Sequence, residues 1–520
     1  MTAGQNSVRA LMVYALVLPL ALVLGYFLAT SGVGSYIDVT SWAPLLLVLG
    51  VLCLPLLFQL HHPLLVLSLN MGVTLLFLPG SPPIWFLMTA LSLTLSIVQR
   101  TIDREMHFVR APSIVWPLLF IAAVVYLTGR FTGGFGARVF GSGQYGGKRY
   151  WLIFGAIAAF FAITARPIRR DQAKFYVALF LLGSLADVMS NVIPFLPKEF
   201  YWLATIFPVS MNDLGSQGTQ GVTGGIARYL GLTGATFGLF VYLLARYGVR
   251  GMLSASKFGR FLLLMAVLML SMLGGFRLSI VTLGLTFLLV FYFEGLLWTR
   301  YAALLLGLIV MAGVALIPLA NKLPLSIQRS LTIFPLNLDP VARYEAMGSS
   351  EWRLEMWSIV LPQVPRYLLT PKGLGMDGFD IELTSDLINR GLAKSQDIAI
   401  LAGDYHNGPL SILIPFGIWG FAGWLWFLVA SIRALWLNYR YGRESLRKAN
   451  TALLAYFLAR LFVFFVIFGG FFSELIVFVG LVSFSLALNG GICTAEAPEE
   501  EKLESDAIET DPVPALMRST

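Results

Sequence analysis

Long apolar runs recur from one end of this chain to the other, and they constrain its fold more than any other feature. Each run has about 17 to 25 residues with few or no charges, enough for a helix to cross a hydrocarbon layer roughly 30 Å thick. Only 12% of the 520 residues are charged and 57% are hydrophobic, whereas about a quarter of the residues in a soluble chain are charged. The sequence therefore predicts an all-α, polytopic bundle of transmembrane helices.

The apolar runs predict about 14 membrane spans, or about 12 if neighbouring runs merge across their short loops. Membrane helices fill residues 1–320 and 409–490, and residues 321–408 form one large extramembrane loop domain. The tail 491–520 is acidic and contains proline, which is typical of a disordered segment. The predicted spans lie near 10–30, 43–60, 63–79, 83–98, 112–128, 150–166, 173–193, 226–246, 259–276, 278–298, 302–320, 409–432, 451–469 and 471–489.

The distribution of Lys and Arg between the loops predicts how the chain is oriented. If the N-terminus lies inside the cell, the inside loops are basic along the whole chain, which favours an even number of spans with both termini in the cytoplasm. The net charge of +8 then requires no nucleic-acid partner, because orientation in the membrane already demands basic loops on one side. By this topology the segment 321–408 faces the periplasm or the cell exterior.

Two arginines stand at the outer membrane edge in this topology. Arg277 follows a tight break between two spans in LSMLGGFRLSI. Arg353 lies in SSEWRLEMWSIV, where Trp352, Met356 and Trp357 recur at helical spacing. This spacing predicts a surface helix whose aromatic face lies in the membrane interface and holds Arg353 at headgroup height.

A histidine-bearing loop lies at the same edge. The chain has four histidines, and His406 occurs in GDYHNGPL immediately before an apolar run, with Asp404 before it and Asn407 after it. An imidazole in this position can act as a proton acceptor, cap the helix that follows, or serve as a third cation for an anion.

Positive charge on the outer face gains nothing from topology, so Arg277 and Arg353 indicate an anionic partner. The planar guanidinium group donates two parallel hydrogen bonds, which suits phosphate, and a lipid-linked diphosphate lies at this height. The alternative is that each arginine pairs with a local carboxylate. Glu351 and Glu355 flank Arg353, whereas Arg277 has no carboxylate nearby in the sequence.

Two further charges fall inside predicted spans. Asp187 and Arg460 each indicate either a structural polar contact between helices or a functional site, because a charge at that depth is costly. The sequence has no H-E-x-x-H and no C-x-x-C motif, and it predicts no metal site and no cofactor.

The outside motifs resemble the O-antigen ligase and polymerase family of membrane glycosyltransferases. In that family an arginine lies between two spans, a long periplasmic loop carries R-x-x-x-W and then G-x-G, and H-N precedes a glycine-containing span. The resemblance covers roughly residues 226 to 430, and it includes an upstream R-x-x-G. The matching residues are Arg228, Arg277, Arg353, Trp357, His406, Asn407, Leu410, Gly417, Gly420 and Gly423.

The resemblance implies an inverting, metal-independent glycosyl transfer at the periplasmic face of a bacterial inner membrane. The donor would be an undecaprenyl-diphosphate-linked oligosaccharide, and the acceptor would be a glycan or a lipid-anchored core. Arg277 and Arg353 would hold the diphosphate, and His406 would accept the proton of the incoming hydroxyl. Asp404 or Asn407 would orient the imidazole ring. The expected substrate-binding residues are Arg228, Arg277, Arg353, Asp404 and Asn407.

Three hypotheses about function remain open: a membrane glycosyltransferase, a transporter and a structural scaffold. A ligase and a polymerase share this chemistry and differ in their acceptor, and nothing in the sequence selects between them. A transporter or flippase for a lipid-linked glycan would move the lipid without changing its covalent structure. A structural membrane scaffold would not depend on the outside arginines or on His406.

Overall fold

A computed structural model of the chain describes residues 55–103, 107–135, 144–209, 226 and 228–495. The predicted span 10–30, most of the span 43–60 and nearly all of the predicted tail lie outside these residues. The chain divides into two compact units, Met1–Leu64 and Leu65–Thr520. In the first unit, residues 55–64 are helical.

The second unit is built from helices. Its strands in the described residues are two short segments that pair antiparallel, with Gln144 opposite Asp377. In chain order the elements used below are α1 (Ile84–Ile102), α2 (Pro112–Thr132), β1 (Gln144–Tyr145), α3 (Gly147–Ile163), α4 (Ala173–Leu182), α5 (Val188–Val192), α6 (Leu230–Met252), α7 (Phe258–Met272), α8 (Arg277–Phe293), α9 (Arg300–Leu319), α10 (Leu325–Leu331), α11 (Pro340–Val360), α12 (Val364–Tyr367), β2 (Met376–Asp377), α13 (Gly378–Asn389), α14 (Ser395–Leu401), α15 (Leu410–Tyr441), α16 (Arg447–Val466) and α17 (Phe471–Asn489).

Eight helical segments of the described residues are long and apolar enough to cross a membrane, and α7 and α8 are two shorter apolar helices. The chain is therefore an all-α, multi-pass membrane protein, and the expected count of about 14 spans is not confirmed. The eight segments are Ile84–Ile102, Pro112–Thr132, Arg170–Phe195, Leu230–Met252, Arg300–Lys322, Leu410–Tyr441, Glu444–Val466 and Phe471–Asn489.

The predicted span 63–79 is wrong. The helix there ends at residue 68, and Thr74 then forms an isolated bridge with Pro83. The side chain of Asn70 donates a hydrogen bond of 2.6 Å to the carbonyl oxygen of Phe180. The backbone N–H of Gly72 donates to Asp187 Oδ1 at 2.5 Å. Thr74 N and Leu76 N likewise donate to the carbonyl oxygens of Ile206 and Thr205, so the backbone of this segment is satisfied without a continuous helix.

The segment 321–408, predicted as a loop domain, consists largely of the five helices α10 to α14. The longest of them, α11, begins with proline at its first position, and the side chain of Asp339 accepts a hydrogen bond of 2.8 Å from Val341 N. Both features are favourable at a helix start, because proline lacks the N–H that would be unpaired there and the carboxylate accepts from one of the others.

A break in α15 connects this helical segment to the membrane helices. Gly417 has φ +64°, and a Cβ atom on it would lie 2.5 Å from the carbonyl oxygen of Leu368. That carbonyl accepts a hydrogen bond of 2.8 Å from Ile418 N, and the freed carbonyl of Pro415 accepts one of 3.0 Å from Gly373 N. The break therefore docks the chain after α12 onto the first two turns of α15.

The core of the second unit is aromatic and closely packed. Trp424 is fully buried, and its ring lies 5.3 Å from that of Phe478 and 5.5 Å from that of Phe464. Gly423 allows α15 to approach α2, because a Cβ there would lie 2.8 Å from Phe120 Cδ1. Close contact of this kind holds membrane helices together, because moving apolar side chains from lipid into a helix interface supplies little driving force.

Candidate functional site

One face of α11 carries the residues around which the site is built. Glu345, Ser349 and Arg353 are spaced four residues apart, so they stack along one side of the helix. Ser350 and Ala346 lie next to this row. The regular spacing lets a single rigid helix present a carboxylate, two hydroxyl groups and a guanidinium group to its neighbours.

Glu345 accepts from three partners in distant parts of the chain. Its Oε2 atom lies 3.3 Å from Arg228 Nη2 and 3.4 Å from Arg329 Nε. Its Oε1 atom accepts a hydrogen bond of 2.9 Å from Ile226 N. This carboxylate therefore ties the segment that precedes α6, the short helix α10 and α11 together.

Arg329 is the most deeply buried member of this group, with a side chain that is 4% exposed. It lies on α10 and also donates a hydrogen bond through Nη1 to the carbonyl oxygen of Gly275, in the turn between α7 and α8. Its Nε atom lies close enough to Glu345 for an ion pair, but it does not form a hydrogen bond with acceptable geometry in the described residues. Neither Arg329 nor Glu345 is among the candidate residues that the sequence predicts.

Arg277 is the first residue of α8 and reaches across to α11. Its Nη2 atom donates to the carbonyl oxygen of Ala346 at 2.9 Å and to Ser350 Oγ at 2.8 Å. Both acceptors are neutral, so the guanidinium charge is hydrogen-bonded without being neutralised. The N-terminal end of α8 adds a positive partial charge at the same place.

Arg353 completes a group of four arginines, Arg228, Arg277, Arg329 and Arg353, which we call the arginine cluster. Its Nη2 atom donates to Ser349 Oγ at 3.3 Å, and its Cζ atom lies 5.9 Å from the ring centre of Phe468. Burial, followed by the nearby charge of Arg277, lowers the pKa of Arg353.

The alternative that each arginine pairs with a nearby carboxylate is wrong for two of the four arginines. In the described part of the chain, neither Arg277 nor Arg353 forms an ion pair with a carboxylate. Glu355, which flanks Arg353 in the sequence, pairs with Lys394 instead. Over the same residues, Glu345 is the one carboxylate that forms ion pairs with the cluster, and it pairs with Arg228 and Arg329.

The electrostatic consequence is clearest at Arg329. Burial, followed by the charge of Arg228, lowers its pKa to about 10, and Arg277 and Arg353 contribute in the same direction. Glu345 opposes this shift without cancelling it. A lowered arginine pKa records an excess of positive charge around a poorly hydrated guanidinium group, and a bound anion would relieve it.

His406 lies beside the arginine cluster. Its ring centre is 5.2 Å from that of Trp352 and 5.1 Å from that of Phe468, the ring that Arg353 also contacts. Its Nδ1 atom is buried and has no hydrogen-bond partner in the described residues. Burial lowers the pKa of His406, Asp404 raises it, and Arg353 lowers it further, so the imidazole is neutral at neutral pH.

The backbone of His406 is in an unusual conformation. Its φ of +49° lies in the left-handed region, where one other non-glycine residue of the described chain, Ser81, is also found. Histidine tolerates this region better than most residues, but the conformation still costs free energy. Strain of this kind is concentrated at functional sites, where the surrounding contacts enforce it.

Asp404 and Asn407, the polar residues on either side of His406 in the sequence, form hydrogen bonds with groups other than its imidazole ring. Asn407 Oδ1 accepts a hydrogen bond of 3.0 Å from Leu410 N, so it caps the start of α15. Asp404 acts on His406 through its charge, and its own backbone N–H donates to the carbonyl oxygen of Ala399 at 2.9 Å. The ring is held by Trp352 and Phe468 rather than by either polar neighbour.

The aromatic face of α11 packs on protein, which corrects the expectation that it lies in the membrane interface. Met356 is fully buried in a cluster with Tyr405, Leu410 and Ile414. Trp357 Nε1 donates a hydrogen bond of 2.8 Å to the carbonyl oxygen of Tyr405. The reason is that the loop before α15 offers Met356 an apolar surface and offers the Trp357 indole a backbone acceptor. Arg353 and His406 are thereby fixed relative to each other.

An apolar cavity of about 530 Å³ lies beside the arginine cluster. Ser326 lines it, and a Cβ atom placed on Gly275 would lie 3.7 Å from the Ser326 carbonyl oxygen and 3.4 Å from Arg228 Cγ. The cavity thus borders the turn that holds Arg329 and Arg277. Its other lining residues are Ile226, Tyr229, Leu232, Leu273, Pro324 and Leu325.

The two charges predicted inside spans have local partners. Both carboxylate oxygens of Glu474, at the start of α17, accept from Arg460 Nη2. Asp187 accepts from Gly72 N, and its carboxylate also lies where a Cβ atom on Gly234 would be. Both therefore hold segments of the second unit together.

The structure brings Arg228, Arg277 and Arg353 together around Arg329 and Glu345, and of these predicted residues Arg353 lies near His406. Arg329 carried the same signal as Arg277, a lone arginine without a neighbouring carboxylate in an apolar segment predicted to lie outside, LPLSIQRSLTIF. Glu345 carried no comparable signal, because its partners are at least 16 residues away in the chain.

Comparisons with known proteins do not identify this chain. No family model matches it, and a search of curated proteins finds no match.

Proposed function

We propose that this protein is a membrane glycosyltransferase of the O-antigen ligase or polymerase type. It would transfer a glycan from an undecaprenyl-diphosphate carrier to an acceptor hydroxyl at the periplasmic face of a bacterial inner membrane, with both chain termini in the cytoplasm. The observation that carries the proposal is the arginine cluster, in which Arg228 and Arg329 share the carboxylate of Glu345 while Arg277 and Arg353 have neutral partners, with Arg353 near the neutral imidazole of His406.

A lipid diphosphate matches both the charge and the shape of the surroundings. Diphosphate oxygens accept the paired hydrogen bonds that guanidinium groups donate, and their negative charge offsets the excess that lowers the pKa of Arg329 and Arg353. The apolar cavity beside Arg228 and Gly275 suits the first isoprene units of the carrier. A water-soluble phosphate ester would gain nothing from that cavity.

The proposed reaction is a single displacement at the anomeric carbon. The acceptor oxygen forms a bond to this carbon while the bond from the carbon to the diphosphate oxygen breaks. The electron pair of the broken bond stays on the diphosphate, where the arginine cluster stabilises the added negative charge. The proton of the acceptor hydroxyl passes to the imidazole of His406, which can accept it because burial and Arg353 keep the ring neutral.

The test is a transfer assay with purified protein, a synthetic polyprenyl-diphosphate oligosaccharide and chelator. We expect a product with a new glycosidic bond together with release of polyprenyl diphosphate. His406→Ala should lower the rate by about 10²- to 10⁴-fold, as loss of a general base does. Arg353→Ala and Arg329→Ala should each lower it by about 10²- to 10³-fold, as loss of a group that stabilises developing charge does.

Matched controls come from exposed residues of the same types. His107→Ala and Arg390→Ala remove an exposed imidazole and an exposed guanidinium group, and both should retain wild-type rates. Full activity in the His406 and Arg353 variants would overturn the assigned roles. Movement of the lipid between leaflets with its mass unchanged would overturn the transferase proposal in favour of a flippase.

A further inference from the structure

A second cavity lies at the opposite end of the helix bundle from the arginine cluster. Its volume is about 1000 Å³, and it is lined by Arg260 near the start of α7 and by Phe293 at the end of α8. Since α7 runs toward the turn at Gly275 and α8 runs back from it, these residues lie about 25 Å from Arg277 along the helix axis. The cavity is therefore separate from the proposed transferase site.

Basic side chains outnumber acidic ones in the lining of this cavity, and both of its carboxylates accept hydrogen bonds. Glu294 accepts hydrogen bonds from Val249 N at 2.9 Å and from Arg250 N at 3.0 Å, at the break in α6. Glu444 pairs with Arg447 at 3.3 Å. The basic lining residues are Lys174, Arg246, Arg250, Arg260, Arg447 and Lys448.

Two of these arginines stack on one tyrosine. The Cζ atom of Arg260 lies 4.2 Å from the ring centre of Tyr247, and that of Arg246 lies 5.5 Å from the same ring centre. Arg246 also donates to the hydroxyl oxygen of Tyr242 at 2.6 Å. Stacking uses the face of a guanidinium group and leaves the N–H donors at its edge available for a planar or tetrahedral anion.

Neither stacked arginine has an ion pair with a carboxylate in the described residues. Basic loops on one side of a membrane protein are expected from orientation alone, and they require neither a cavity nor a shared aromatic platform. The cavity, the occupied carboxylates and the platform at Tyr247 together indicate a bound anion rather than a merely basic surface.

The surroundings of the cavity indicate a lipid as the source of that anion. Tyr301 lines the cavity and lies on α9, a helix without buried residues whose side chains suit contact with lipid chains. Trp298, just before α9, is 97% exposed, as is typical of an aromatic residue at the membrane interface. A headgroup in the cavity could therefore leave its acyl chains along α9.

We propose that this cavity binds the phosphate of an anionic membrane lipid, with Arg246 and Arg260 as its main ligands on the Tyr247 platform. Basic pockets between membrane helices bind phosphate-bearing headgroups in this manner. The proposal does not depend on the transferase function, because it concerns the other end of the bundle.

The experiment compares phosphatidylglycerol with phosphatidylcholine by native mass spectrometry of the purified full-length chain and by thermal unfolding in detergent. The wild type should retain phosphatidylglycerol and unfold at a higher temperature in its presence. Arg246→Gln with Arg260→Gln should weaken retention at least about tenfold. Arg246→Lys with Arg260→Lys should weaken it less, because charge remains while the paired donors and the stacked plane are lost.

The control is Arg433→Gln with Arg440→Gln, which removes two exposed arginines of α15 that do not line the cavity. This variant should retain phosphatidylglycerol as the wild type does. An equal loss in the control would overturn the proposal by showing a general effect of basic charge. Protection by inorganic phosphate alone, equal to that by the lipid, would overturn the lipid as the source of the anion. If the Gln variant does not fold, wild-type retention by the Lys variant would likewise overturn the proposal, because neither the stacked plane nor the paired donors would then be needed.

Discussion

The Nε atom of Arg329 lies 3.4 Å from Oε2 of Glu345, the same carboxylate oxygen that Arg228 approaches to 3.3 Å. Because Arg329 is buried, Glu345 offsets a charge that water reaches poorly. Replacing Glu345 with Gln would leave that charge without its ion pair. We expect the free energy of unfolding in detergent to fall by about 2–4 kcal/mol, measured by chemical denaturation.

Glu355→Gln is the control for this prediction. Glu355 lies on α11, as Glu345 does, but its ion pair with Lys394 is exposed, so stability should stay within experimental error. Equal losses of stability in the two variants would show that the ion pair of Glu345 with buried Arg329 contributes no more than an exposed pair.

The charge of Asp404 should set the acid limit of the reaction. Asp404 raises the pKa of His406, so Asp404→Asn should lower it. The imidazole would then stay neutral, and able to accept a proton, to lower pH. We expect the acid limb of the kcat/KM profile to move to lower pH, with less than about a twofold change in rate on the neutral plateau. Asp386→Asn, an exposed carboxylate paired with Arg390, should leave the profile unchanged, and a shift in the opposite direction would contradict the assignment of His406 as the base.

The left-handed backbone conformation of His406 allows its structural and chemical roles to be tested with different substitutions. Asn adopts positive φ readily, so His406→Asn should insert and fold close to normally while its transfer activity is lost. His406→Val should be less stable than His406→Asn by about 1–2 kcal/mol, because a β-branched residue is strained at this φ. Thermal unfolding of both variants checks this order, and equal stability of Asn and Val would contradict the strained geometry.

Gly417 should be intolerant of any side chain. Gly417→Ala would place a Cβ atom 2.5 Å from the carbonyl oxygen of Leu368 at a φ of +64°, so a loss of about 2 kcal/mol or more is expected. Gly307→Ala is the matched control, because Gly307 lies in α9 with open space around it and should become slightly more stable in its helix. Unfolding midpoints in detergent measure both, and a neutral Gly417→Ala would argue against the docking of α12 on the break.

The intramembrane pair of Arg460 and Glu474 should be structural. Arg460→Met alone would leave Glu474 as an uncompensated charge and should cost about 3–5 kcal/mol. Arg460→Met combined with Glu474→Met should recover most of that loss, since two apolar side chains replace a complete pair. Transfer activity should follow stability in these variants. Loss of activity in a fully stable double variant would instead assign the pair to the reaction.

Local sequence was sufficient wherever the membrane alone dictates structure. The runs near 83–98, 112–128 and 471–489 form helices close to the predicted positions, because a backbone in lipid must satisfy its own hydrogen bonds within the segment. The run 63–79 does not form a span because Asp187, Thr205 and Ile206, more than 100 residues away in the chain, accept hydrogen bonds from its backbone N–H groups.

The residue types of the site were readable from the sequence, but its construction was not. Apolar runs in the sequence indicated a membrane helix bundle, and the placement of Arg277, Arg353 and His406 predicted cations and an imidazole at one membrane edge. The tertiary structure alone decided that Arg329 joins them and that Glu345 pairs with Arg329 and Arg228. It also turned the aromatic face of α11 from lipid to protein. The reason is physical: helix formation in a membrane depends on neighbours within a few residues, whereas ion pairing and ring packing depend on which distant segments the fold brings within a few ångströms.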